Sequence, residues 1–238
     1  DLYNTKGGGR MELTITPIAH IHTDFPEKFG LPRQSLLVPS LCGRIVFEPE
    51  YLSPDALRGL DGYSHIWLIW GFSEAERDTW SPTVRPPRLG GNTRMGVFAT
   101  RSPFRPNAIG LSSVKLLAVE QNSRYGTVLR VAGADLMDGT PIYDIKPYLL
   151  TTDCHPEATR GFTALHTDYT VEVEIPDKEA AKLPADKLDA LRAVLAQDPR
   201  PAYHHDENRV YGFPFAGYEV SFTASGNVLK VVKIKRCR

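Results

Sequence analysis

Short runs of β-branched and aromatic residues recur along most of the chain, separated by glycine, proline and other turn-forming residues. The runs cover residues 13–22, 43–47, 63–70, 95–99, 109–119 and 127–131. Runs of this length between turn residues are typical of antiparallel strands. The 19 glycines and 19 prolines among 238 residues also favour many tight turns. The sequence therefore predicts a mainly-β barrel or sandwich rather than a helical bundle.

Two helices and a second group of strands are predicted outside this series. Ser53 can cap a helix over 54–60, with Pro54 at its first position. Beyond residue 167, the patterns predict a strand over 169–175, a helix over 184–197, and a hairpin of 218–223 with 228–234. We therefore expect three parts: a vector-derived leader over 1–10, a β domain over 11–155 and a smaller α+β domain over 156–238.

Composition narrows the class of protein. Basic and acidic residues both number 28, and this balance disfavours a protein that coats nucleic acid non-specifically. The longest apolar stretch, 66–72, is far shorter than the roughly 20 residues of a membrane helix, so we expect no membrane association and a cytoplasmic location. Three cysteines without a CxxC pair indicate neither a disulfide framework nor a zinc site, and we expect no metal.

The densest chemical signal lies in residues 77–107, where six arginines accompany a single acidic residue, Asp78. The arginines are Arg77, Arg85, Arg88, Arg94, Arg101 and Arg105. Guanidinium groups bind phosphate and carboxylate in a bidentate manner, and the prolines and glycines between them restrict the backbone. The segment therefore predicts a local anion site. The alternative is a solvated basic loop whose arginines pair with surface acids.

Three carboxylates follow within ten residues: Asp135, Asp138 and Asp144. Asp138-Gly139 is a strong hairpin dipeptide, so we expect Asp135 and Asp144 on adjoining strands and all three side chains close together. Such a cluster could hold ribose hydroxyls, an amine or a proton. It could equally cap a turn and pair with arginines. The chain has no GxGxxG or GxxxxGK[ST] motif, so a Rossmann cofactor site is not supported. Trp67 and Trp70 are expected in the core.

Several long strings closely resemble the TrmO family, also called TsaA-like or YaeB-like proteins. They are PTVRPPRLGGN at 82–92, RMGVFATRS at 94–102, FRPNAIGL at 104–111, DLMDGTP at 135–141 and DIKPY at 144–148. Residues 59–60 and 63–67 belong to the same pattern, and 194–203 resembles the small carboxy-terminal domain of the bacterial members. Ala108 stands where the family often has proline, a departure of little expected consequence.

The resemblance implies an S-adenosylmethionine-dependent methyltransferase that acts on tRNA. The expected substrate is N6-threonylcarbamoyladenosine at position 37 of the anticodon loop, methylated on its exocyclic nitrogen. The family has a small antiparallel β-barrel rather than a Rossmann sheet, and binds the donor near a homodimer interface. By position, the implied donor-binding residues are Gln34, Ser35, Leu36, Ser73, Glu74, Arg101, Leu111, Ile142, Tyr143, Asp144 and Ile145.

The chemistry of the reaction suggests further roles. The adenine nitrogen is a poor nucleophile, so a carboxylate that accepts its proton, Asp138 or Asp144, should assist methyl transfer. Arg105 or Arg85 is expected to bind the threonyl carboxylate. The expected substrate-binding residues are Arg85, Arg88, Arg94, Arg105, Asn107, Tyr148 and Arg200. The alternative function is a non-catalytic module whose arginine loop binds tRNA or a phosphorylated metabolite.

Overall fold

The computed structural model describes residues 13–73, 80–86, 93–166, 169–200, 206 and 209–237. Its first eight strands are β1 (Ala19–His22), β2 (Cys42–Phe47), β3 (His65–Gly71), β4 (Thr83–Val84), β5 (Met95–Gly96), β6 (Ile109–Asn122), β7 (Gly126–Ala132) and β8 (Thr140–Pro147). Six of them close into an antiparallel barrel in the order β1-β2-β7-β6-β3-β8. β4 and β5 form a separate two-stranded hairpin. The mainly-β prediction is confirmed.

Alternation along the strands fills the barrel. Ile21, Ile45, Leu68 and Val114 are completely buried, while the residues between them face outward or are partly exposed. Because side chains on a strand point to alternate faces, this pattern places one apolar set inside the closed sheet. The strand predicted over 13–22 is shorter than expected, since only its last four residues pair with β2 and β8.

The helix predicted over 54–60 is wrong. Residues 54–59 form consecutive turns, and a 3₁₀ turn follows at Leu60–Gly62. The backbone bonds connect residues three apart, such as Ala56 N–H to the Ser53 carbonyl at 3.1 Å, so no α-helical ladder develops. Gly59 then adopts a left-handed conformation with φ 84°, which ends the segment.

A second sheet lies in the last third of the chain. Helices α1 (Leu150–Asp153), α2 (Asp177–Ala180) and α3 (Ala185–Ala196) accompany strands β9 (Glu172–Glu174), β10 (Tyr211–Phe215), β11 (Tyr218–Ser225) and β12 (Val228–Arg236). The strand order is β10-β11-β12-β9, with β9 parallel to β12. α3 and the β11–β12 hairpin match their predictions, whereas β10 was not predicted. Within the described ranges, no helix is long and apolar enough to cross a membrane.

The connection between β1 and β2, residues 23–41, joins the two halves of the molecule. Its residues Phe25, Val38 and Leu41 pack in the hydrophobic core of the second sheet rather than in the barrel. Asp24 forms an ion pair with Lys187 of α3 at 2.5 Å. The segment is therefore held between both cores, and it carries three of the predicted donor-binding residues. Because residues from before the proposed boundary pack in the core of the second sheet, a domain boundary near residue 155 stays a prediction.

Candidate active site

The segment Gln34–Leu36 meets Arg101 at one end of the barrel. Arg101 Nη1 donates to Gln34 Oε1 at 2.6 Å, and the Leu36 N–H donates to the Gly133 carbonyl at 2.8 Å. A Cβ on Gly133 would fall 2.6 Å from the Leu36 side chain, and Gly133 has φ +76°, so this contact requires glycine. These residues are distant in sequence but lie together. All of them except Gly133 are donor-binding residues implied by the resemblance.

Beneath this segment, a polar chain runs into the barrel. Trp70 Nε1 donates to Ser112 Oγ at 3.0 Å, and Ser112 Oγ donates to Asp135 Oδ1 at 2.6 Å. Burial raises the pKa of the Asp135 carboxyl. Hydrogen bonds from Ser112 and the Ser35 backbone and the charge of Arg101 offset part of that rise. Asp135 therefore connects the barrel interior to the Gln34–Leu36 segment.

Sequence reasoning missed Ser112, although a signal was present. β6 alternates strictly at its start, and Ser112 lies between Gly110 and Val114 on the inward face. A polar residue at an inward position must find a hydrogen-bond partner, because a buried hydroxyl without one is costly. Ser112 is 1% exposed and has two such partners.

A β-bulge in β8 directs two neighbouring residues outward. In the pairing with β3, Ile69 lies opposite Asp144 and Trp70 lies opposite Ile142, so Tyr143 is the extra residue. Ile142 and Ile145 both contact the barrel core although they are three residues apart. In a regular strand, two inward residues are separated by an even number of positions. The bulge between Ile142 and Ile145 therefore accounts for the partial exposure of both Tyr143 and Asp144.

These outward residues adjoin an apolar surface at the same end of the barrel. Leu111 lies opposite Ile69, which lies opposite Asp144, and Leu111 is 51% exposed. The Tyr143 ring lies against Gly71, where a Cβ would fall 2.4 Å from the phenolic oxygen. Ser73 follows two residues after Gly71 and is exposed. Glu74 lies outside the described residues.

The arginines divide into separate positions. Arg101 contacts Gln34, whereas Arg105 Nη1 donates to the carbonyl of Thr100 at 2.8 Å and more weakly to those of Val97 and Ser102. The Arg105 head therefore supports the loop that carries Arg101. Arg94 Nη1 donates to Thr83 Oγ1 at 2.9 Å. Arg85 is exposed and directly follows β4, just as Arg94 directly precedes β5. Arg77 and Arg88 lie outside the described residues.

The expectation that Asp135 and Asp144 lie on adjoining strands is wrong, because Asp135 lies outside any strand. Asp138-Gly139 does form a tight turn, with φ +78° at Gly139, but the residues before it cross the barrel end instead of forming a strand that pairs with β8. Asp138 Oδ1 accepts the Thr23 N–H at 3.0 Å and contacts His22 Nδ1 at 3.1 Å. Asp144 pairs with Lys146 at 2.9 Å. Each of the three carboxylates thus has its own partners.

Of the other expected substrate residues, Asn107 lies at this end, next to Ala108, whose carbonyl accepts the Phe72 N–H at 2.9 Å, whereas Tyr148 and Arg200 lie apart from it. Tyr148 packs on Trp67, with ring centroids 5.6 Å apart, and Asn107 is exposed just before β6. We expected Trp67 in the core, but it is not there. It faces outward, and its Nε1 donates to Asp153 at 2.7 Å. Arg200 binds Asp198 through two hydrogen bonds of 2.7 and 2.9 Å beside the second sheet.

Comparison with known families accounts for this combination of barrel and second sheet. The family model for the tRNA-methyltransferase O N-terminal domain matches residues 20–154, and that for the TrmO C-terminal domain matches residues 167–237. The chain belongs to the TrmO family.

Relatives of this chain match most of its length. A tRNA (adenine(37)-N6)-methyltransferase of Escherichia coli K12 is 41% identical over 222 residues, which span 85% of this chain and 94% of that protein. A putative S-adenosylmethionine-dependent methyltransferase of Pseudomonas aeruginosa is 41% identical over 209 residues, 85% of this chain and 88% of that protein. The crystal structure of TrmO from P. aeruginosa superposes with a TM-score of 0.78 at 32% identity and covers 96% of this chain and 99% of that chain.

Proposed function

We propose that this TrmO-family chain transfers a methyl group from S-adenosylmethionine to the N6 nitrogen of N6-threonylcarbamoyladenosine at position 37 of tRNA. One observation carries the proposal. Arg101 contacts Gln34, both Arg101 and the Ser35 amide lie near Asp135, and Asp135 bonds Ser112, whose neighbour Leu111 lies in one cross-strand row with Asp144. The names of the relatives support adenine 37 of tRNA as the target and S-adenosylmethionine as the donor.

The chemistry of this barrel end suits the donor. Arg101 supplies a cation for the donor's carboxylate, and Leu111 supplies an apolar surface. Tyr143, lying over Gly71, closes one side. The donor, when bound, supplies a methyl group on a positively charged sulfur. The residues of this chain hold it in line with the nucleophile, a positioning effect that can provide much of the rate.

Asp144 is the carboxylate that we assign to the N6 proton. It lies in the same cross-strand row as Leu111, whereas Asp138 is bound to His22 and the Thr23 amide at the end of β1. A general base must lie within hydrogen-bond reach of the proton that it accepts. Of the two carboxylates expected from the sequence, only Asp144 lies among the proposed donor-binding residues.

We assign the threonyl carboxylate to Arg85 rather than to Arg105. Arg85 is exposed on the hairpin opposite Arg94, while the Arg105 guanidinium already donates to backbone carbonyls. Arg105 is accordingly a positioning residue for the Arg101 loop. Arg200 is left out of the proposed site, because its guanidinium is bound to Asp198.

A homodimer in the cytoplasm completes the proposal. Large apolar side chains remain exposed near this end of the barrel: Phe98 is 74% exposed and Trp80 is 52% exposed, and their rings lie 6.3 Å apart. Exposed apolar surface of this kind is typical of a protein interface. A second copy that covers Phe98 and Trp80 would also exclude water from the donor.

The test is methylation of purified tRNA that carries the threonylcarbamoyl group. Mass spectrometry of the nucleosides after incubation with the protein and S-adenosylmethionine should show a gain of one methyl on that nucleoside, and none on tRNA with plain adenosine. Asp144→Asn should slow the single-turnover rate about 100-fold or more. Tight tRNA binding with no measurable affinity for the donor would favour the non-catalytic module instead.

A further inference from the structure

A groove of about 680 Å³ lies on the outer face of β1 and the end of β2. Its lining includes His20, His22, Glu48, Arg124 and Tyr125, and the side chains of Val46 and Leu52 add apolar surface. The volume lies within the range of small-ligand sites, about 300–1,000 Å³. None of the proposed donor-binding residues lines it.

The polar side of the groove consists of two imidazoles, each held by a carboxylate. His20 Nδ1 lies 2.7 Å from Glu48 Oε1, and His22 Nδ1 lies 3.1 Å from Asp138 Oδ1. Because an ionised carboxylate only accepts hydrogen bonds, each Nδ1 carries a hydrogen. A ligand would therefore bond either histidine through Nε2.

The aromatic side of the groove is a stacked series of flat groups. The Tyr125 and His22 rings are inclined by 25° with centroids 6.5 Å apart, and the Arg124 guanidinium lies 5.0 Å from the centre of the Tyr125 ring. Asn122 Oδ1 accepts the backbone N–H groups of both Arg124 and Tyr125, which fixes the β6–β7 turn. Aromatic rings and guanidinium planes are the groups on which unpaired bases stack.

We propose that this groove binds an unpaired nucleotide of the tRNA other than the one that is methylated. The base stacks on Tyr125 and His22, the His20 Nε2 atom bonds its polar edge, and Arg124 contacts the adjoining phosphate. The proposal rests on the proposed function, since it takes tRNA as the substrate. β1 pairs directly with β8, and strands in a sheet lie about 4.8 Å apart, so the groove adjoins the face that carries Asp144.

The experiment measures binding of a fluorescent anticodon stem-loop, containing the modified adenosine, to the full chain. Tyr125→Ala should weaken binding about tenfold, as expected for the loss of one stacked base, and Tyr125→Phe should restore it. Arg124→Glu, a change at an exposed position, should weaken binding at least as much, and the loss should shrink at high salt. Tyr63→Ala and Arg58→Glu are matched controls at exposed positions outside the groove.

The outcomes separate this proposal from the proposed function. Calorimetric affinity for S-adenosylmethionine should be the same in all variants, and the wild type should methylate the stem-loop. If it does so while Tyr125→Ala and Arg124→Glu bind as tightly as the controls, the groove is not an RNA site. If free adenosine monophosphate protects the groove from modification of His22 but the stem-loop does not, the ligand is a free nucleotide and the proposal is overturned.

Discussion

Replacing Asp135 by Asn tests whether the buried carboxylate orders the Gln34–Leu36 segment, which we propose to bind the donor. The amide oxygen can still accept from Ser112 Oγ, so the link to Trp70 survives. The negative charge that attracts Arg101 is lost, and an N–H₂ group replaces one of the two carboxylate oxygens near the Ser35 amide. The Gln34–Leu36 segment and Arg101 should therefore be held less firmly.

The expected size follows from these contacts. A hydrogen bond to a charged group contributes about 1.5–3 kcal/mol, so losing its equivalent from the donor site should raise the Kd for S-adenosylmethionine about 10- to 150-fold. Folding stability, in contrast to donor affinity, should not decrease. Burial raises the pKa of Asp135, which means that the ionised form costs folding free energy at neutral pH. The neutral Asn variant should thus melt at the same temperature as the wild type or slightly higher.

The assay pairs calorimetric titration of the donor with thermal melting at pH 5 and pH 7.5. For a carboxyl with a raised pKa, the stability cost is present above that pKa and disappears as the pH falls through it, so any melting advantage of Asp135→Asn should be smaller at pH 5. Ser112→Ala is the control, since it leaves the Trp70 N–H without its partner and should lower stability directly. Unchanged donor affinity in Asp135→Asn would refute the reasoning, as would a loss that merely parallels a lower melting temperature.

Three further predictions concern other parts of the structure. Gly71→Ala should displace Tyr143, whose hydroxyl would lie 2.4 Å from the new Cβ, with a cost of about 1–3 kcal/mol in stability and weaker donor binding; Tyr143→Ala in the same chain should recover the melting temperature. Glu179→Gln should lower the melting temperature at pH 7. The pKa of Glu179 is lowered by bonds from Lys182 and the Ile234 amide, so the wild type should lose this advantage as pH falls toward 3, and a pH-independent difference would contradict the assignment. Arg200→Ala should destabilise the fold by about 3 kcal/mol through the broken Asp198 pair, and calorimetry should show unchanged donor affinity.

Local patterns in the sequence were sufficient for most of the strands and for α3. They failed where two local signals in the same segment favoured different structures. Pro54 and Ser53 favour a helix start, but Gly59 ends the segment before one α-helical turn is established. β10 was missed because Pro214 lies within it, and proline in a run of apolar residues counts against a strand. This strand lies at the edge of its sheet, the position where proline is tolerated.

The site depends on pairing between strands that are distant in sequence, which local sequence patterns do not predict. Asp135, Asp138 and Asp144 lie within ten residues, and the sequence treats them as equivalent. The structure separates them because β8 pairs with β1 and β3, elements more than 70 residues away, instead of with the preceding strand. The bulge at Tyr143 then turns Asp144 to the outer face beside Leu111. Because a shift of one residue in the pairing exchanges the two faces of a strand, the register of β8 against β3 places on the outer face the carboxylate that we propose as the proton acceptor.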